Sequence, residues 1–120
     1  MNKIELGKWG ERKAEEYLCK YGIIIIDKNY RTHFGELDII GKDKNQVIFF
    51  EVKTRRNESF GFPEESIDTK KQEHLINSAE EYIQTHNELG EDWRIDVIAI
   101  QCQPWSQRID IQWYKNAISD

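Results

Sequence analysis

Residues 46–56 read QVIFFEVKTRR. The first five residues are core material for a strand; the run then turns to a carboxylate, one more apolar residue and an ammonium. Glu51 and Lys53 are two apart, so on a β-strand they share one face while Val52 takes the other. Two readings fit the triplet. One is an ion pair on an exposed strand end, which is common and contributes little. The other is half of a metal-dependent active site.

The neighbouring segment bears on that choice. GELDIIGKD (35–43) and NQVIFFEVK (45–53) read as two strands joined by a short polar turn. With the turn centred on Lys44-Asn45, Asp38 faces Glu51, Ile40 faces Phe49, and Glu36 faces Lys53, where it either contacts a metal-bound water or pairs with that ammonium, the pairing being the favoured reading. Directly opposed side chains have Cβ atoms about 4.5–5.5 Å apart, and like charges there are destabilising. A fold has little reason to set two carboxylates so close without a cation between them. Mg²⁺ takes oxygen ligands and is commonly held by one or two carboxylates.

Outward from this hairpin the chain reads as α-β-β-β-α-β-β, a mixed sheet with helices on its faces. Ala14, Tyr17, Leu18 and Tyr21 fall at helical spacing, predicting a helix from Leu6 to about Tyr21 that stops at Gly22. IIIIDKNYR (23–31) has the β-branched density of a strand buried on both faces. Residues 54–66 read as a loop punctuated by Gly61 and Pro63. Asp68 can cap a second helix running to about His86, with Leu75, Ile76, Ala79, Tyr82 and Ile83 as its stripe. WRIDVIAIQC (93–102) and RIDIQWY (108–114) complete the strands. Asp96, alternating with Ile98 and Ile100, reads as structural, paired near Arg94 or with a loop amide. The tryptophans, including Trp9, Trp93, Trp105 and Trp113, read as core or core-edge residues.

Two polar residues lie on apolar stripes. Glu11 is three before Ala14 and seven before Leu18, whereas Arg12, Lys13, Glu16 and Lys20 cover the solvated side. An unpaired charge in a core is very costly, so Glu11 either meets a partner or a metal, or reaches water from the exposed end of the helix. Gln72 stands three, four and seven before Leu75, Ile76 and Ala79. A core-facing Gln is more often a satisfied structural amide than a functional group.

The 120 residues suit one domain spanning 1–120, and four Trp, five Tyr and five Phe supply bulky core. No apolar stretch approaches membrane-spanning length, and the charged start shows no apolar signal region. Cys19 and Cys102 stand alone without a CxxC, which argues against a cysteine-built zinc site and for reduced thiols. The expectation is a soluble cytoplasmic protein. The net charge of −5 is uneven: residues 1–71 hold 14 Lys/Arg against 13 Asp/Glu, and residues 72–120 hold 3 against 9. The half containing EVKTRR is therefore near neutral, which permits a local phosphate-binding surface.

GKWGERKAEEYL, NYRTHFGELDII, FFEVKTRR, FGFPEESIDTKKQEHLINSAEEYI and RIDVIAI occur in the order seen in the YraN-like family of small bacterial proteins, which this chain resembles over residues 7 to about 100. That family in turn resembles restriction-endonuclease-like PD-(D/E)xK nucleases, particularly Holliday-junction resolvases. The resemblance implies an αβββαβ core, with Glu11 as the helix glutamate, Asp38 as the first strand acid, Glu51 and Lys53 as the E-x-K pair, and Gln72 as a polar helper. Leu37 rather than proline precedes Asp38, as in resolvase-like branches. The implied chemistry is Mg²⁺- or Mn²⁺-dependent phosphodiester hydrolysis. Asp38, Glu51 and Glu11 would hold the metal, and Lys53 would orient or deprotonate the water. Arg31, Arg55, Arg56, Lys70 and Lys71 either meet phosphates, of DNA rather than RNA, or are solvated surface charges, the commoner case for each taken alone, and a homodimer would suit a two-strand cut. The alternative is a non-catalytic nucleic-acid- or protein-binding module on the same fold.

Overall fold

The computed structural model describes residues 1–56, 67–102 and 107–119. The described elements are α1 (Lys3–Lys20), β1 (Ile24–Thr32), β2 (Gly35–Asp43), β3 (Gln46–Arg56), α2 (Thr69–Thr85), β4 (Trp93–Cys102) and β5 (Ile109–Ile118), with a 3-10 turn at Asn87–Leu89. The order is the expected one. The chain forms an α/β structure with a five-stranded sheet in the order β1-β2-β3-β4-β5. Only β3 and β4 run parallel, and α2 lies in the connection between them; the other neighbours are antiparallel.

Alternation along the strands divides the core. Ile48, Phe50, Ile98 and Ile100 pack with Ala14 and Leu18 of α1. Val47, Phe49, Ile95 and Val97 pack with Leu75, Ile76, Ala79, Tyr82 and Ile83 of α2. The helices thus cover opposite faces of β3 and β4, whose central residues are buried on both sides.

Three expectations need correction. β1 is not buried on both faces. It is the sheet's edge, with Ile24 66% exposed and its polar residues Lys28, Asn29 and Arg31 facing solvent. An apolar run marks a strand but does not reveal how many neighbours the strand has. Thr54, Arg55 and Arg56 are not loop, because β3 continues beside β4 through the pair Arg56↔Cys102. Glu36 does not pair with Lys53: it stands opposite Arg31 on β1, and their charged groups lie 3.6 Å apart. The rest of the expected loop, residues 57–66, and Trp105 lie outside the described residues.

Asp96 is structural, as expected. Fully buried, it accepts from Arg94 Nε (2.9 Å), Trp113 Nε1 (2.8 Å) and the Asn116 backbone N–H (2.7 Å), tying β4 to β5. Both cysteines are free thiols.

The approach of α1 to β3 depends on Gly10. A Cβ there would meet Thr54 Oγ1 at 1.8 Å and Thr54 Cβ at 2.8 Å. The absent side chain lets the helix lie directly on the strand and carries the next residue, Glu11, toward the end of β3. Gly10→Ala is therefore expected to destabilise the protein by about 1–3 kcal/mol, the usual cost of overpacking. Thr54→Ala in the same chain should recover part of that loss in urea denaturation, since Oγ1 and Cγ2 are the nearest movable obstacles. Equal losses with and without Thr54→Ala would place the clash elsewhere.

Candidate active site

The hairpin register is the one read from the turn. Ile39↔Phe50, Ile40↔Phe49 and Asp43↔Gln46 are Cα partners, with Lys44 at φ +56° in the turn. The β2–β3 ladder ends at Ile39↔Phe50, so the next opposed pair would be Asp38 and Glu51. Instead of a backbone ladder bond, Asp38 Oδ2 accepts from the Val52 N–H at 3.0 Å. The alternation of β2 breaks here: Leu37 and Ile40, three apart, both join the core on the α2 side. Asp38 therefore turns in toward β3.

Opposite this break, β1 is irregular too. Lys28↔Ile39 and Tyr30↔Leu37 flank Asn29 and Asp38. Asn29 adopts φ +49°, a left-handed conformation that Asn tolerates better than most residues. Its side-chain amide donates to Glu11 Oε1 (2.9 Å) and Glu36 Oε1 (3.2 Å), clamping the helix carboxylate to the sheet.

Glu51 is only 4% exposed. Its Oε2 lies 3.9 Å from Lys53 Nζ and 3.6 Å from Lys71 Nζ of α2. Asp38, half-buried beside it, has its pKa pushed up to about 8. Burial is the main cause; the Glu51 carboxylate and a hydrogen bond between the two carboxyl groups add to it, while the Val52 N–H and Lys71 oppose it. The pKa of Glu11 is also raised, first by burial and then by the carboxylates of Asp38 and Glu36, against the hydrogen bond from Asn29. Glu11 is therefore within electrostatic reach of Asp38 and also lines a surface cavity of about 210 Å³ with Lys8, Arg12, Glu15, Lys28 and Asn29.

Asp38, Glu51 and Lys53 thus converge, with Glu11 at their margin. Gln72 is tied elsewhere through its amide nitrogen, which donates to the Ile67 carbonyl at 2.9 Å. With the Asp68 cap on the Lys71 N–H (2.8 Å), that bond fixes the entry of α2. The expected phosphate-binding cations differ in their surroundings. Arg31 is paired with Glu36, and Arg56 donates to the Met1 carbonyl at 2.9 Å. Lys71 rests on Glu51, Arg55 is half-buried and Lys70 is exposed. Sequence reading missed Asn29, although an Asn inside a β-branched run signals irregular backbone. It also missed the turn of Lys71 toward Glu51, which no local signal carries.

The donor set suits a hard divalent cation: two adjacent carboxyl groups with crowded negative charge, joined by no thiol or imidazole among the described residues. Among the described residues, no group of three or more His, Cys, Asp or Glu side chains is close enough to hold an ion. With no third such side chain there, an ion at this place would rest on Asp38 and Glu51, and its further ligands would be water or substrate oxygen, as Mg²⁺ commonly takes.

A family model described as "Uncharacterised protein family UPF0102" matches residues 10–100. The chain belongs to this family. A UPF0102 protein of Caldicellulosiruptor saccharolyticus is 44% identical over 98% of this chain and 99% of its own length. One from Dictyoglomus turgidum is 38% identical over 98% and 99%. One from Clostridioides difficile is 44% identical over 83% and 88%. The matched UPF0102 region contains all of α1 from Gly10, the hairpin, α2 and most of β4, and so every candidate site residue. Among the described residues no helix is long and apolar enough to cross a membrane.

The raised Asp38 pKa sets a pH dependence. Its ordinary value is 3.8 and its folded value about 8, so the folded chain holds this proton more tightly than the unfolded one. The resulting stabilisation is fully present below about pH 4 and is lost as pH rises toward 8. Urea unfolding in chelator should show stability falling across that window, and Asp38→Asn should flatten the decline. An undiminished decline in Asp38→Asn would assign it to other groups.

Proposed function

We propose that this UPF0102 protein is a Mg²⁺- or Mn²⁺-dependent endonuclease of the restriction-endonuclease-like PD-(D/E)xK type, hydrolysing phosphodiester bonds in structured or branched DNA. The observation that carries the reading is the buried Glu51 carboxylate beside Asp38, with Lys53 on the same strand face. This is an unfavourable arrangement for a fold to keep, and one that a divalent cation would turn to use. The element order, and the GELD…EVKTRR pattern placed on adjacent strands, support the same reading.

Asp38 and Glu51 would hold the ion, with Glu11 reaching it through water. Once bound, the ion supplies Lewis acidity toward water and phosphoryl oxygen. The Lys53 ammonium, held near Glu51, orients the attacking water and stabilises charge on the phosphoryl oxygens. In the reaction a bond forms from the water oxygen to phosphorus and the bond to the leaving sugar oxygen breaks. The water's proton leaves to solvent, and the leaving oxygen takes one from it. Gln72 contributes by fixing the start of α2 beside the site. Lys70 and Arg55 are the cations best placed for neighbouring phosphates. Two copies related by a two-fold axis would address two strands, and the setting would be cytoplasmic.

A second reading, a non-catalytic nucleic-acid- or protein-binding module, is favoured by one observation. Arg31 and Arg56, two of the expected phosphate contacts, are engaged within the chain itself. Single-turnover assays with Mn²⁺ on linear, flapped and four-way-junction DNA separate the two readings. Wild type is expected to cut at least one substrate. Glu51→Gln should lose both metal binding and cleavage. Lys53→Ala should lose cleavage by about 100-fold or more while keeping its metal affinity, because an ammonium cannot ligate a cation. Binding of DNA without cleavage under either metal would favour the module, and neither binding nor cleavage would defeat both readings.

A further inference from the structure

Glu51 Oε2 is approached from two elements, by Lys53 on β3 at 3.9 Å and by Lys71 in the first turns of α2 at 3.6 Å. The E-x-K pattern accounts for the first ammonium only. The second is the nearer of the two, and its side chain is 42% exposed, against 32% for Lys53 and 5% for Glu51. Its backbone is fixed by the Asp68 cap and the Gln72 bond to Ile67, whereas a lysine's four-carbon stem is flexible.

A cation ligated by Glu51 Oε2 competes with Lys71 for the same oxygen. Charge counting says where the displaced ammonium goes. With both carboxyl groups ionised around a divalent ion, two carboxylates, two ammoniums and the ion leave two surplus positive charges. A phosphodiester carries one negative charge and its pentavalent transition state carries two, so the second ammonium matches charge that appears only in the transition state.

Resting on the nuclease reading above, we propose that Lys71 is a second catalytic cation of the site, which pairs with Glu51 until a divalent ion takes that carboxylate and then turns to the scissile phosphate. Lys71 is then more than a surface contact for nucleic acid. It ties metal binding to the readiness of a phosphate clamp.

The test is calorimetric titration of chelator-treated protein with Mn²⁺, beside single-turnover cleavage, in wild type, Lys71→Met, Lys71→Arg and Lys70→Met. Loss of a competing, partly exposed ion pair should tighten Mn²⁺ binding by Lys71→Met about two- to tenfold. Lys70→Met, which removes the adjacent charge, should leave that affinity unchanged. Cleavage by Lys71→Met should fall at least about tenfold, in the rate of the bound complex rather than in half-saturating DNA concentration, and Lys71→Arg should restore most of it. If wild type binds Mn²⁺ and Lys71→Met binds it no more tightly, this inference fails and the proposed function stands. Equal tightening by Lys70→Met and Lys71→Met reduces the effect to general surface charge and also overturns it. A wild type that binds no Mn²⁺ defeats the proposed function and this inference together.

Discussion

Setting the Asp38 and Glu51 carboxyl groups side by side under the cover of a folded chain is unfavourable twice over. Each group gives up hydration, and their charges repel. The surroundings answer both costs. Asp38 keeps its proton toward neutral pH and accepts from the Val52 N–H, and Glu51 has two ammoniums within 4.0 Å. The sheet gives up regular pairing to permit this: the β2–β3 ladder stops at Ile39↔Phe50, and β1 takes a left-handed residue at Asn29. Departures from regular structure held in place by their neighbours cluster at functional sites, and this one is centred on the residues with the most chemistry in the chain.

The helices serve the same point from opposite faces. α1 reaches it because Gly10 offers no side chain to Thr54, which brings Glu11 under the Asn29 amide. α2 reaches it through its capped first turn, where Asp68 and Gln72 fix the backbone and Lys71 reaches Glu51. Below this region the two core clusters and the buried Asp96 network are ordinary structural support. The candidate chemistry lies at one end of β3, and the buried apolar core lies along its length.

Much of this was legible before any coordinates. A short polar turn between two alternating runs sets hairpin register tightly, because a one-residue slip would move every apolar side chain to the wrong face. That is why the opposition of Asp38 and Glu51 could be read from Lys44-Asn45. Asp68 as a cap and the stripe from Leu75 to Ile83 were legible for similar reasons, since capping and helical period are local. The edge position of β1 was not, because four consecutive isoleucines look alike in a central strand and beside a single neighbour. Glu36 was assigned to Lys53 by extending a ladder that in fact ends sooner, while Arg31 stood opposite it on the other side. Lys71 turning to Glu51 is purely tertiary: it depends on where α2 sits against the sheet, which neither periodicity nor spacing encodes.

Whether the two carboxylates serve as a cation platform or as a structural hydrogen-bonded pair can be decided by anomalous diffraction from crystals grown with Mn²⁺ at a pH above 8. A single strong peak is expected, bound by oxygens of both Asp38 and Glu51 at about 2.1 Å, the spacing expected for a small hard cation, with the remaining positions filled by water. Well-ordered Asp38 and Glu51 side chains still hydrogen-bonded to each other, with manganese bound elsewhere or not at all, would contradict the cation platform.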